Sequence, residues 1–261
     1  YINREIETLG SPLEDNESNR DLFEEQVDII FKAWNQQTFF HHGKYYDLPP
    51  KIVYREKELE ELTLVPRPSK LPVECWQPIV SVSPRGIDFM MKHDIKGVVP
   101  GGARVAEIAR KWQTAHAERG CDTELGEGLA LVLQVILGET EEEAISEAEV
   151  WFEEQIKVLS PLGMMPFLNR EQILATYDPE KAPSAGLPTV RDLVRDGAWI
   201  CGPPEHVYEC ICDYEEKLPG LKRVSVGAGG LAIPPSVLRR NIEWFGKEVL
   251  PRFDGISVAA G

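Results

Sequence analysis

Gln77-Pro78-Ile79-Val80-Ser81-Val82-Ser83-Pro84-Arg85-Gly86-Ile87-Asp88-Phe89-Met90-Met91 is the stretch whose reading decides the fold. Ile79, Val80 and Val82 are β-branched and Pro78 bounds the run, which predicts a short buried strand over 78–82. Ser83 suits a helix cap and Pro84 a first helical turn. Phe89, Met90 and Met91 then supply an apolar helix side. Two readings of the junction stay open. One is an ordinary βα turn with a good cap. The other is an anion cradle, in which the helix start, the Ser83 hydroxyl and Arg85 meet a phosphate monoester and Gly86 lets it approach the backbone.

Working outward, the same alternation repeats. Lys96 to Val99 is a second short strand, turned at Gly101-Gly102 into a helix marked by Val105, Ile108 and Trp112. Leu129 to Leu137 is apolar except for Gln134, as in a strand buried on both faces of a parallel sheet. Thr140 with Glu143 forms a capping box for the helix that buries Ile145, Ala148, Phe152, Ile156 and Leu159. A helix over 204–218 presents Val207, Ile211, Tyr214 and Leu218. A last strand lies at 222–226, and Pro234-Pro235 open a final helix carried through Val249 and stopped by Pro251. Upstream, Ser18 with Asp21 predicts the start of a helix over 19–34, with Phe23, Val27, Ile30 and Trp34 on one face.

Repeated βα units imply a parallel sheet, and either a doubly wound sheet or a (β/α)8 barrel fits. The expected fold is α/β, a (β/α)8-type barrel of which this chain holds only the C-terminal four or so βα units. Four such units leave edge strands and an open interior that something must cover. Two inserts interrupt them, at about 36–75 and 160–202. The first holds a hairpin turning at Gly43; the second, rich in Pro and Gly, has the length of a lid. Residues 1–253 form one domain in this reading, and 254–261 a tail.

The chain has 261 residues, 43% of them hydrophobic and 27% charged, with a net charge of −15. That balance argues against general electrostatic binding to nucleic acid or an anionic membrane. No apolar run reaches the roughly 18 residues of a membrane span. Five cysteines without paired CxxC spacing point to free thiols in a reducing cytoplasm. His41 and His42 have no third ligand at suitable spacing on their element and read as structural or surface residues; no metal site is expected. His93, His116 and His206 fall on helices and read the same way.

Four pieces of the chain resemble the luciferase-like flavin monooxygenases, the bacterial luciferase superfamily. They are Phe23-Glu24-Glu25-Gln26-Val27 through Ala33-Trp34 with Phe40 and Gly43-Lys44-Tyr45-Tyr46; Pro66-Arg67-Pro68 with Pro78 to Ser83; Cys201-Gly202-Pro203-Pro204-Glu205-His206-Val207; and Phe245 to Phe253. Their order spans nearly the whole chain. The resemblance implies a barrel that binds reduced FMN, or the deazaflavin F420 in one branch. It gives Ser83 the phosphate contact, with Arg85 and Gly86 at the adjoining helix start, and places Gly101 beside the flavin ring. It implies O2 and a small organic substrate, a separate flavin reductase as partner, and a homo-oligomer or a chain supplying the missing half-barrel. A non-catalytic flavin-binding or interaction subunit is the rival expectation. The family's front half, which commonly carries the catalytic histidine, has no counterpart here, so no catalytic residue is assigned. Trp199 is expected to be a core aromatic.

Overall fold

A computed structural model describes residues 15–79, 82–160, 168–178, 180–181, 185–227 and 233–253. The polar opening as far as residue 14, Val80 and Ser81 of the strand expected over 78–82, much of the expected lid (161–167, 179 and 182–184) and the 254–261 tail lie outside the described residues. The chain divides into two compact units, residues 3–77 with 85–96 and residues 78–84 with 97–261.

In the first unit, helix α1 (Asn16–Asn35) starts earlier than the sequence pattern indicates. Its cap is Asp15, whose carboxylate accepts from the Glu17 and Ser18 amides at 2.9 and 2.8 Å. A carboxylate at the N-cap satisfies orphan amides and faces the positive end of the helix, so it outcompetes Ser18 for the position. Strands β1 (His41–His42) and β2 (Asp47–Leu48) form the expected antiparallel hairpin. Its turn wraps the Glu25 carboxylate, which accepts from the Lys44, Tyr45 and Tyr46 amides and from His41 Nε2 at 3.0 Å. Gly43 is required there, because a Cβ would lie 2.0 Å from Glu25 Oε1. Lys32 Nζ, which can only donate, faces His41 Nδ1 at 3.2 Å, so Nδ1 accepts and Nε2 carries the proton. His41 is a structural residue. A second small hairpin, β3 (Val53–Tyr54) with β4 (Lys57–Glu58), orders part of the insert that reads as irregular in sequence. Helix α2 (Pro84–Lys92) places Phe89 against Phe23, ring centres 5.6 Å apart. His93 Nε2 lies 2.7 Å from Asp28 and packs between Phe31 and Phe89.

The sheet runs β5 (Trp76–Pro78), β6 (Lys96–Pro100), β7 (Leu129–Leu137), β8 (Trp199–Gly202), and β9 (Arg223–Gly227) also pairs with β7. The ladders of β6, β8 and β9 on β7 are all parallel. Gly101 donates to Val132 O and Gln134 donates to Ala198 O, so β6 and β8 occupy successive lengths of one edge of β7. β9 takes the other edge. Strand β8 corrects the expected count of four: Trp199 to Gly202 reads as the end of the lid in sequence, yet all four residues are buried.

Helices α3 (Val105–Ala117), α4 (Glu141–Leu159), α7 (Pro204–Lys217) and α8 (Pro235–Trp244) follow β6, β7, β8 and β9. Two short helices, α5 (Arg170–Ala175) and α6 (Val190–Asp196), lie in the second insert; α6 is the short helix expected near 189–196, and α5 is an addition. Thr140 caps α4 as expected, accepting from the Glu143 amide at 3.2 Å. The final helix is shorter than its apolar face suggests: after Trp244 it loosens into a π-turn (Phe245–Val249) and then a 3₁₀ turn (Leu250–Arg252). The β7 residues Leu129, Leu131 and Leu133 are buried on one face, whereas Val132 and Gln134 on the other are only partly covered. Further along that face, Ile136 and Cys201 join Phe152, Ile156 and Trp199 in a continuous core. Trp199 is a core aromatic, packed edge-on against Phe152 at 5.6 Å. Among the described residues no helix is long and apolar enough to cross a membrane.

Candidate functional site

In parallel βα folds, ligand sites collect at the carboxyl ends of the strands. The strand expected over 78–82 is shifted, since β5 is Trp76–Pro78; Ser83 follows it by five residues, exposed, immediately before Pro84 opens α2. A hydroxyl next to a helix start is a suitable donor for a phosphate monoester. Gly86, third in α2, is half-buried.

Arg85 is committed elsewhere. Its Nε donates to Glu24 Oε1 at 3.0 Å, and its Nη2 to Glu24 Oε2 at 2.9 Å and to Asp21 Oδ1. These bonds raise the guanidinium further above its already high value. Burial pushes the Glu24 carboxyl up, but Arg85 and Arg20 together hold it below its ordinary value. Arg20 donates to Glu24 at 2.6 Å and stacks over Phe23 and Phe89. Arg85 thus anchors α2 to α1 with its charge already matched by two carboxylates. The separation of more than sixty residues between these groups has no local signature in the sequence.

At the end of β6 the chain turns through Gly101 and Gly102. The last ladder bond runs from the Gly101 amide to Val132 O at 2.9 Å. A Cβ on Gly101 would lie 2.5 Å from Leu133 Cδ2 and 3.2 Å from Gly197 O. The space freed by that glycine is therefore filled on one side by the chain's own packing. Gly102 has φ +112°, and a Cβ there would strike Asp196 Oδ2 at 2.3 Å. Gly197 closes α6 in the left-handed conformation at φ +84°. The Tyr214 hydroxyl bridges the two turns, accepting from the Gly102 amide and donating to Gly197 O, both at 2.8 Å. Burial raises the Tyr214 phenol above its ordinary value. Tyr214 joins these two turns, yet in sequence it counts only as one apolar-face position. The available signal is a phenol among aliphatics on a buried helix face, whose polar tip needs a partner.

Gln134 interrupts β7 on its half-open face. Its Oε1 is buried without a partner, and its amide occupies the space a Cβ on Gly227 would take. A separate cavity of about 230 Å³ is walled by Val135, Leu137, Val226, Ile242, Phe245 and Leu250. Asn241, the polar group there, is spent on the Leu137 amide at 2.8 Å. None of its lining residues carries a charged side chain to meet a phosphate.

Residues 3–219 match the family model described as luciferase-like monooxygenase. The chain belongs to the luciferase-like monooxygenase family. Its fold is α/β, a (β/α)8-barrel type represented here by C-terminal βα units and two inserts. Solved structures agree on the fold. The monooxygenase RslO1 from Streptomyces bottropensis superposes with a TM-score of 0.62 at 15% identity, over 97% of this chain and 66% of that one. The oxygenating constituent of 3,6-diketocamphane monooxygenase from Pseudomonas putida, in complex with FMN, gives 0.63 at 20% identity, over 97% and 68%. The coenzyme F420-dependent tetrahydromethanopterin reductase from Methanopyrus kandleri gives 0.56 at 16%, over 89% and 63%. This luciferase-like chain spans about two thirds of the length of the solved structures it matches. No curated protein sequence gives a significant match.

For a flavin nucleotide the donor chemistry fits in part. Ser83 and the start of α2 suit the phosphate, whereas Arg85 in its present pairing offers it no unmatched charge.

Proposed function

We propose that this luciferase-like chain is part of a flavin-dependent monooxygenase that uses reduced FMN and O2 to oxidise a small organic substrate. A separate flavin reductase supplies the reduced cofactor. The observation behind the reading lies in the unit of 78–84 with 97–261: Ser83 is exposed before α2, and the Gly101-Gly102 turn directly follows β6, held by Tyr214. In this reading Ser83 holds the phosphate, helped by the α2 start at Arg85 and Gly86, and Gly101 lies against the ring. The bound flavin supplies the oxygen chemistry; the protein binds it, orients it and keeps water away. Five free thiols are in keeping with a reducing cytoplasm.

Ser83→Ala is expected to weaken FMN binding by about 1–2 kcal/mol, the scale of one hydrogen bond to a charged group. Calorimetry or flavin fluorescence quenching measures it, and unchanged affinity removes Ser83 from the site.

A second reading, F420-dependent hydride transfer, is favoured by the F420-dependent structural neighbour. Titration with each cofactor separates the two: the spectrum that changes on mixing with the protein identifies the one bound.

A further inference from the structure

The turns after β6 and after α6 share a weakness. Each bends at a glycine in the left-handed region, Gly102 at φ +112° and Gly197 at φ +84°, with no side chain at that residue to fix its backbone. The Gly102 amide falls just beyond the last ladder bond, and the Gly197 carbonyl just beyond the end of α6. Both polar groups meet the same phenol. Tyr214 projects from α7, a fourteen-residue helix anchored by the buried side chains of Val207 and Ile211. Its ring is itself buried. The hydroxyl has one proton to give and lone pairs to receive, and both capacities are used at 2.8 Å. A Cβ on Gly101 would lie 3.3 Å from that oxygen, so the phenol also borders the face of Gly101.

We propose that Tyr214 is a positioning residue for the cofactor, a strut from a rigid helix that sets where the Gly101-Gly102 turn stands and couples it to the Asp196-Gly197 turn at the exit of the second insert. The inference rests on the reading that Gly101 lies against the flavin ring.

The test is FMN binding to purified wild type and Tyr214→Phe, followed by fluorescence quenching and by the visible circular dichroism of bound flavin. Measurements are made well below both unfolding midpoints. The phenylalanine keeps the ring and strands the Gly102 amide and the Gly197 carbonyl. FMN affinity is expected to fall about tenfold, as for loss of one buried hydrogen-bonded group, and the flavin dichroism to change. Thr140→Ala, which removes the cap of α4 and touches neither turn, is expected to lower the unfolding midpoint and leave both readouts alone. Wild-type affinity and dichroism in Tyr214→Phe overturn the inference while leaving the cofactor reading standing. Failure of the wild type to bind FMN or F420 rejects the cofactor reading and takes this inference with it. Should Tyr214→Phe not fold, hydrogen exchange on the wild type decides. FMN is expected to slow exchange over 100–105 and 196–198 together, and protection of the first segment alone overturns the coupling.

Discussion

Cys201 lies at the meeting of β8 and α4 with no exposed surface, and burial pushes its thiol up to about 12. The consequences follow from sign. The folded chain keeps this thiol protonated, while the unfolded chain ionises it near its ordinary 9.0. The unfolded state therefore binds fewer protons between those values, and stability falls as pH rises from about 9 to about 12. Cys210 is shifted the same way by burial and adds to the slope. In native buffer near neutrality a thiol reagent is expected to titrate the exposed Cys121 promptly and to leave Cys201 untouched until denaturant is added. Prompt reaction of all five thiols without denaturant would contradict the placement of β8. At the same scale, Gly101→Ala pushes a methyl group into Leu133 at 2.5 Å. A lower unfolding midpoint is the expected result, because the contacted atom is packed under the sheet and close-packed interiors yield little.

Element boundaries follow the competition between local signals. Thr140 and Glu143 are a strong cap signal, and α4 begins where they say. Thr140→Ala is expected to cost about 1 kcal/mol, read as a lower denaturant midpoint at unchanged slope. A change in slope would mean that the cap also shapes the unfolded ensemble. The main sheet was legible because β7 is a long apolar run and each helix after it carries a 3.6-residue period. β8 was not, because four residues hold too little pattern: Trp-Ile-Cys-Gly becomes a strand by pairing with Gln134 to Leu137, some sixty residues away. The end of α8 was misplaced for a related reason. Phe245 and Val249 keep helical spacing, so the apolar face alone cannot distinguish a π-turn from a continued α-helix. Near the candidate site the end of β6 was legible from Gly101, whereas β5 stops at Pro78, short of the end expected at 82. The partners that define them, Tyr214 at Gly102 and the two carboxylates at Arg85, are long-range contacts that no local spacing encodes.

Across the whole molecule the decisive quantity is the net charge of −15. FMN carries a phosphate of the same sign, so the field of the chain opposes its approach. A local basic pocket could reverse this, and Arg85 is the cation that the sequence offers for the purpose. Its pairing with Asp21 and Glu24 places two negative charges beside one positive, so that neighbourhood does not reverse the sign. Screening shortens the reach of the whole-molecule repulsion from about 30 Å at 0.01 M salt to about 8 Å at 0.15 M. FMN association, followed by stopped-flow quenching, is therefore expected to accelerate as salt rises through that range. Arg85→Gln should leave the direction of the salt effect unchanged, since the guanidinium is spent on α1. Association that slows with salt in the wild type, and loses that dependence in Arg85→Gln, would instead mean that the phosphate draws Arg85 away from its carboxylates on binding.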